Sequence, residues 1–341
     1  MIKYTLNLEH VTPLSRMQVE HLAQLAGSFF SRVILEHKNR TINGKSMLGL
    51  LSMGRTGTEP VTLTVDGEDE EEAAREIKQL LDSGVAPPKA AGDAMLLMQR
   101  IKARYADILD DNLAGIYLHG SLAADCFRWE QSDIDFLVVA RRPLSVEKKI
   151  ALVETLYALK EEAPPAGFEM SVVLEADCKA PQYPMPYALH YSARWERDYA
   201  CNPQGFCQRM HGEDPDLTLH ILCLHAFGSP LMGPSVARMF GQVRREDALC
   251  AIREGLDDVG ERLHERPVYY VLTLCRALAY LREGLVLSKK EGGEWALKKL
   301  PHAYQGVIQA ALNAYQSGRD MFYDLGVAED FCYDAMEELS R

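Results

Sequence analysis

Residues 115–139 read GIYLHGSLAADCFRWEQSDIDFLVV, and two features of this stretch decide how the chain is understood. One is an apolar run ending in Gly120-Ser121; the other, after eleven intervening residues, is Asp133-Ile134-Asp135 running into Phe136-Leu137-Val138-Val139. Both runs have the β-branched and aromatic content of buried strands. Side chains two apart on a strand share a face, so Asp133 and Asp135 present paired carboxylates while Ile134 and Phe136 turn into a core. Such hard oxygen donors suit magnesium, which takes one or two carboxylates and completes its shell with water and substrate phosphates. Gly120 lets a phosphate approach the backbone, and Ser121 offers it a hydroxyl. The expected chemistry is transfer of a phosphoryl-type group from ATP, which needs in-line positioning and neutralisation of developing charge. Glu169, in GFEMSVVL (167–174), is the candidate base: a carboxylate on a later strand that could face the aspartate pair and take a hydroxyl proton.

Outward from this core, helical spacing covers roughly 94–109 and 145–162, and the turn APPAG leads into the strand FEMSVVLEA. Ahead of it, residues 2–8 and 61–65 alternate like strands, whereas 15–30 and 69–81 carry helical spacing, which implies a small α+β unit. The acidic run Glu68 to Glu72 falls at the start of the second of these helices, where carboxylates favour the positive end of the helix dipole. Between the units, SGVAPPKAAGD (83–93) combines proline, glycine and small residues and reads as a linker. From about 217 onward the pattern is helical, punctuated by Pro230, Pro234, Pro267, Gly228, Gly233 and Gly284. The expected domains are 1–82, a linker at 83–93, an α/β domain at 94–243 and a helical domain at 244–341.

Lys and Arg total 37 against 49 Asp and Glu, a formal charge of -12. That balance argues against duplex DNA or an anionic membrane as the main partner and suits a cationic ligand, although it also serves solubility. No apolar run approaches the roughly 20 residues of a membrane helix. The start, MIKYTLNLEH, lacks the basic and apolar regions of a signal peptide, so the expected location is the cytoplasm. The eight cysteines form no Cys-x-x-Cys pair, which favours reduced thiols. Cys201, Cys207 and His211 form the one cluster worth a metal test, with a spacing that fits no familiar zinc pattern.

The Gly120-Ser121 and Asp133-x-Asp135 pattern resembles the nucleotidyltransferase superfamily. Residues 93–317 more specifically resemble the streptomycin/spectinomycin adenylyltransferases, through GIYLHGS, SDIDFLVV, FEMSVV, RWERD around Trp195, LMGPSVARMF, VLTLCRALAY, Lys289 and EWALKKLPHAYQGVIQAAL. The resemblance implies Asp133 and Asp135 as magnesium ligands and Glu169 as the base that deprotonates the antibiotic hydroxyl. Gly120 and Ser121 would lie at the ATP phosphates, Arg276 and Lys289 would contact them, and Trp195 would shape the streptomycin side of the drug pocket. One departure stands out: where the family has a drug-binding aspartate ahead of VLTL, this chain has Arg266. An arginine there would repel a cationic ring, so spectinomycin, another aminocyclitol and a non-antibiotic acceptor all stay open.

Residues 1–82 resemble the histidine-containing phosphocarrier protein HPr, through INGKSMLGLLSMG and VTLTVDGEDEEEAAREIKQLL. Ser15 stands where that family has its phosphorylated histidine, and Met17 replaces the neighbouring arginine, which implies that phosphate relay is lost. Ser15 with Gln18 reads as a helix capping box, and His10 as an incidental loop histidine. Ser46 corresponds to the family's regulatory phosphoserine and is equally explained as a helix cap. The expected fold class is thus α+β multidomain: an HPr-like open-faced β-sandwich, a nucleotidyltransferase α/β domain with a mixed sheet, and a C-terminal helical bundle. The leading expectation is O-adenylylation of an aminoglycoside or aminocyclitol. Its alternatives are a protein or metabolite acceptor recruited by the HPr-like domain, and a non-catalytic nucleotide sensor.

Overall fold

The computed structural model describes the chain apart from residues 9–11, 13, 15, 39, 55, 57 and 83–90 and the side chains of residues 16, 17, 20 and 24. His10, Ser15, the Met17 side chain and most of the expected linker therefore lie outside the described residues. The chain separates into two compact units, Met1–Lys89 and Ala90–Arg341.

The first unit runs β1 (Ile2–Leu6), α1 (Arg16–Gly27), β2 (Arg32–His37), β3 (Arg40–Asn43), α2 (Met47–Leu51), β4 (Val61–Asp66) and α3 (Glu70–Asp82). Its four strands form an antiparallel sheet in the order β1-β4-β2-β3. Alternation does what period two requires: Val61, Leu63 and Val65 are fully buried, while the intervening threonines turn to the other face. Against the buried face pack Val19, Leu22 and Ala26 of α1 and Ala73, Ala74, Ile77 and Leu81 of α3. Glu70, Glu71 and Glu72 occupy the first turn of α3, as the dipole argument expects. Ser46 caps α2, its Oγ accepting from Gly49 N–H at 3.2 Å. An open-faced sheet with helices on one side is the HPr-like architecture expected from the sequence.

The second unit begins with α4 (Ala91–Leu109), β5 (Leu113–Leu118), α5 (Gly120–Ala123), β6 (Ile134–Ala140), α6 (Val146–Ala158), β7 (Phe168–Leu174) and α7 (Glu175–Lys179). There follow β8 (Met185–Tyr187), β9 (Leu189–Ser192), α8 (Glu196–Cys201), α9 (Pro203–Arg209), β10 (Gly212–Asp214), α10 (Asp216–Phe227), β11 (Ser229–Met232) and α11 (Val236–Met239). The remainder is helical: α12 (Arg245–Glu254), α13 (Val259–Arg262), α14 (Pro267–Glu283), α15 (Lys289–Lys299), α16 (Gln305–Ser317) and α17 (Leu325–Ser340).

The central sheet has the order β11-β5-β6-β7-β9 and is mixed, since β6 and β7 run parallel while the other pairs are antiparallel. Ile134, Phe136, Val138, Met170 and Val172 point to one face, against α4 and α6. Tyr117, Leu137, Val139 and Val173 point to the other, against Leu217, Ile221 and Leu224 of α10. A third core, centred on Val271, Leu272, Leu274, Cys275, Leu278, Ala296 and Ile308, holds the C-terminal bundle together.

One departure from the sequence reading lies in this unit. Residues 229–232, inside a stretch read as helical, form β11, a short edge strand beside β5. Pro230 is tolerated there because an edge strand can leave one side of its ladder unpaired.

Buried polar pairs in this sheet make a stability prediction. His190 on β9 is buried, with Nδ1 2.9 Å from Ser171 Oγ, and burial pushes its pKa from 6.5 down to about 4. The folded form keeps the ring neutral while the unfolded chain protonates it, so this stability is present above about 6.5 and is lost as pH falls through about 4. At most it amounts to roughly 3 kcal/mol. His190→Asn should therefore show a shallower decline of Tm over that interval than the wild type; identical slopes would disprove the assignment.

Candidate active site

The turn from β5 into α5 builds one side of the site. His119 is extended, and the chain reverses at Gly120, whose φ of +61° is the left-handed conformation that glycine adopts without cost. A Cβ at Gly120 would fall 1.8 Å from Asp135 Oδ2, so the missing side chain also makes room for that carboxylate. His119 N–H donates to the Asp135 carbonyl at 3.2 Å, and the Ser121 backbone N–H donates to the Asp135 carboxylate. Gly120→Ala should accordingly cost about 1–2 kcal/mol from the backbone alone. Displacing the carboxylate should lower turnover roughly 100-fold. Thermal melts and initial rates on this variant would check both, and near-normal rates would contradict the close approach.

Asp133 immediately precedes β6 and Asp135 is its second residue. Parallel pairing of β6 with β7 sets Asp135 opposite Glu169. Asp133, Asp135 and Glu169 each offer an oxygen, and these oxygens all lie within 4.8 Å of one another. Among the described residues this is the only such group of acidic, histidine or cysteine side chains; Cys201, Cys207 and His211 form none, and all eight cysteines are free thiols. Burial, followed by the charges of Asp133 and Glu169, pushes the Asp135 carboxyl well above its ordinary 3.8. Glu169 is likewise raised above 4.5, chiefly by burial, with His220 opposing the rise and Asp133 adding to it.

Three crowded carboxylates repel one another and call for a cation, and hard oxygens in this number fit magnesium. Nearby, the Ser121 hydroxyl is buried without a hydrogen-bond partner. Asp133 and Asp135, with Glu169 alongside, are therefore the residues that could hold the metal.

The facing wall comes from the C-terminal helices. Lys289 opens α15, and the capping box between Ser288 and Glu291 fixes the start of that helix and hence the lysine. Lys289 is depressed below its ordinary 10.5, first by burial and then by the charge of Arg276, while Asp133 and Asp135 pull it back up. Arg276, on α14, donates from Nε to the Leu287 carbonyl at 2.8 Å. Gly292 lets α15 approach this arginine, since a Cβ there would meet Arg276 Cγ at 2.6 Å.

Asp133, Asp135, Glu169, Gly120, Ser121, Arg276 and Lys289 all line one cleft of about 410 Å³. Strand-borne carboxylates and two cations from the C-terminal helices thus share one cleft, an arrangement able to bind a polyphosphate and a hydroxylated acceptor together.

Trp195 is not among the cleft-lining residues. The chain leaves the sheet at Ser192, opposite Glu169, and the indole turns onto Phe206 of α9 at 6.2 Å between ring centroids. The Arg194 guanidinium lies 4.9 Å over the same indole. Arg266 precedes α14 and sits 4.4 Å over Tyr269, whose ring lines the cleft and also lies 5.0 Å from Lys289 Nζ. Sequence reasoning missed His119, Asp216, His220 and Cys223, which also line the cleft. The three on α10 sit in a helix apolar on most sides, whose pattern marks no functional face.

Residues 238–330 match the aminoglycoside adenylyltransferase C-terminal domain, and residues 16–83 match the PTS HPr component phosphorylation site. A spectinomycin 9-adenylyltransferase of Staphylococcus aureus is 25% identical over 218 residues, covering 63% of this chain and 82% of the relative. An aminoglycoside (3'') (9) adenylyltransferase of Klebsiella pneumoniae is 29% identical over 225 residues, covering 62% of this chain and 81% of the relative. Among solved structures, a spectinomycin adenyltransferase from Enterococcus faecialis with ATP and spectinomycin superposes with a TM-score of 0.61. At 19% identity, it covers 72% of this chain and 99% of its own, a likeness of fold. Among the described residues no helix is long and apolar enough to cross a membrane.

Proposed function

We propose that this chain, which carries an HPr-type domain ahead of an adenylyltransferase-type region, moves AMP from ATP to a hydroxyl of an aminocyclitol or aminoglycoside antibiotic in the cytoplasm. The observation that carries the reading is the meeting of Asp133, Asp135 and Glu169 with Arg276 and Lys289 in one cleft. Asp133 and Asp135 would hold magnesium, which when bound withdraws charge from phosphate oxygens. Glu169, made more basic by burial, takes the proton of the acceptor hydroxyl. The acceptor oxygen forms a bond to the α-phosphorus as the bond to pyrophosphate breaks. Arg276 and Lys289, with Ser121 and the Gly120 backbone, hold the phosphates and balance the charge on the leaving pyrophosphate.

Purified protein with magnesium, ATP and a panel of aminoglycosides and aminocyclitols should yield one or more products heavier by AMP in mass spectrometry. A panel in which nothing gains AMP would remove the antibiotic as acceptor. Arg266 favours a second reading on that outcome: a cation resting on the cleft-wall ring of Tyr269 suits a protein or metabolite acceptor less positive than an aminoglycoside. Absence of any ATP turnover would leave a nucleotide sensor.

The HPr-type domain is proposed as a docking module without phosphate relay. Support comes from the apolar side chains Phe30 and Leu48, which are 92% and 82% exposed. Incubation with the upstream phosphotransferase enzyme and labelled phosphoenolpyruvate should leave residues 1–82 unlabelled; stable label would restore the relay.

A further inference from the structure

The mechanism leaves two imidazoles in the cleft without a task. His119 immediately follows β5 and is 98% out of contact with solvent; His220 projects from α10 above the same sheet face as Asp135 and Glu169. Their rings stack, with centroids 4.4 Å apart and planes inclined by 32°. His119 is tied to the Asp135 backbone, and Asp135 stands opposite Glu169 in the sheet, so the stack is anchored to the strands that carry the carboxylates. His220 Nε2 lies 3.8 Å from Glu169 Oε1. One helical turn before it on α10, Asp216 lines the cleft on the same side.

Packing alone does not account for His220. Its Nδ1 is buried and has no hydrogen-bond partner, a cost that an apolar side chain of similar size would avoid. The orphaned nitrogen also decides the tautomer. A neutral imidazole carries one N–H, and with nothing at Nδ1 to accept it, the proton belongs on Nε2, the atom facing Glu169. A separation of 3.8 Å is longer than a hydrogen bond, and contacts of this kind tighten when substrate closes the site.

We propose that His220 is a positioning residue: its Nε2–H holds one oxygen of Glu169, so that the other faces the acceptor hydroxyl, while stacking on His119 fixes the plane of the ring. The inference rests on the adenylyl-transfer reading and adds a residue to it. His220 touches neither ATP nor metal in this role, so its loss should be felt in turnover and not in nucleotide binding.

The test uses the full-length protein. His220→Leu, which fills the space without a donor, should lower kcat about 30-fold and change KM for ATP less than about twofold. His220→Gln, which returns an N–H donor at a similar reach, should recover turnover to within about fivefold of wild type. In a Glu169→Gln background, His220→Leu should cause no further loss, because the group it positions is gone. Independent losses in the double variant, no rescue by glutamine, or an effect confined to KM would each overturn the proposal.

A second readout needs no acceptor: in nitrogen-15 spectra of histidine-labelled protein, the His220 ring should be protonated at Nε2, and Glu169→Gln should shift that resonance. An unmoved resonance, or a proton on Nδ1, would overturn the pairing even if the protein adenylylates nothing. Failure to adenylylate any acceptor with the resonance shifted would instead tell against the functional reading and leave the pairing standing.

Discussion

Asp135→Asn is expected to abolish adenylyl transfer, with kcat falling by about 10³-fold or more, while the protein becomes no less stable. The two halves of this expectation share one cause. Asp135 is a partly buried carboxylate beside Asp133 and Glu169, and desolvation with like charge raises its pKa well above the ordinary value. Removing its charge relieves repulsion in the folded state, so Tm should hold or rise even as the site loses a donor for its metal. Added magnesium should raise the Tm of the wild type through binding linkage and leave that of the variant unchanged. Chelator should reverse the shift in the wild type alone. An active Asp135→Asn variant, or one with an undiminished magnesium shift, would refute the metal assignment.

Glu169→Gln should lower kcat by about 10²- to 10⁴-fold and leave KM for ATP close to wild type, the pattern of a group whose contribution appears in the transition state. Glu169 lies close enough to the aspartates to be counted as a third ligand, so the same melts distinguish its roles. If Glu169 is the base, the magnesium shift in Tm persists in Glu169→Gln; if it is a ligand, the shift disappears with the activity. Retained turnover with a lost magnesium shift would exclude the base role.

Much of this site was legible because its signals are local. Alternation in SDIDFLVV identifies which side chains share a strand face, and Ile134 and Phe136 do pack into the core opposite Asp135. The same local logic reaches the helix caps: Ser46 on α2 and the acidic first turn of α3 are where the residue types place them. Arg276 and Lys289 came from resemblance, since a cation on a helix looks alike whether it faces solvent or a phosphate. Trp195 came from resemblance in the same way; its ring packs on Phe206 and it is not among the residues lining this cleft.

The residues themselves determined the strand-borne carboxylate pair and the small α+β unit at the front of the chain, since each depends on sterics and period within a few neighbouring positions. Only the tertiary structure decided that Asp135 stands across from Glu169, that Ser229–Met232 forms an edge strand, and that two imidazoles meet in the cleft lining. These are matters of which strand pairs with which and of where a helix face comes to rest. They are set by long-range burial of apolar surface, which leaves no period in the chain from which the pairing could be read.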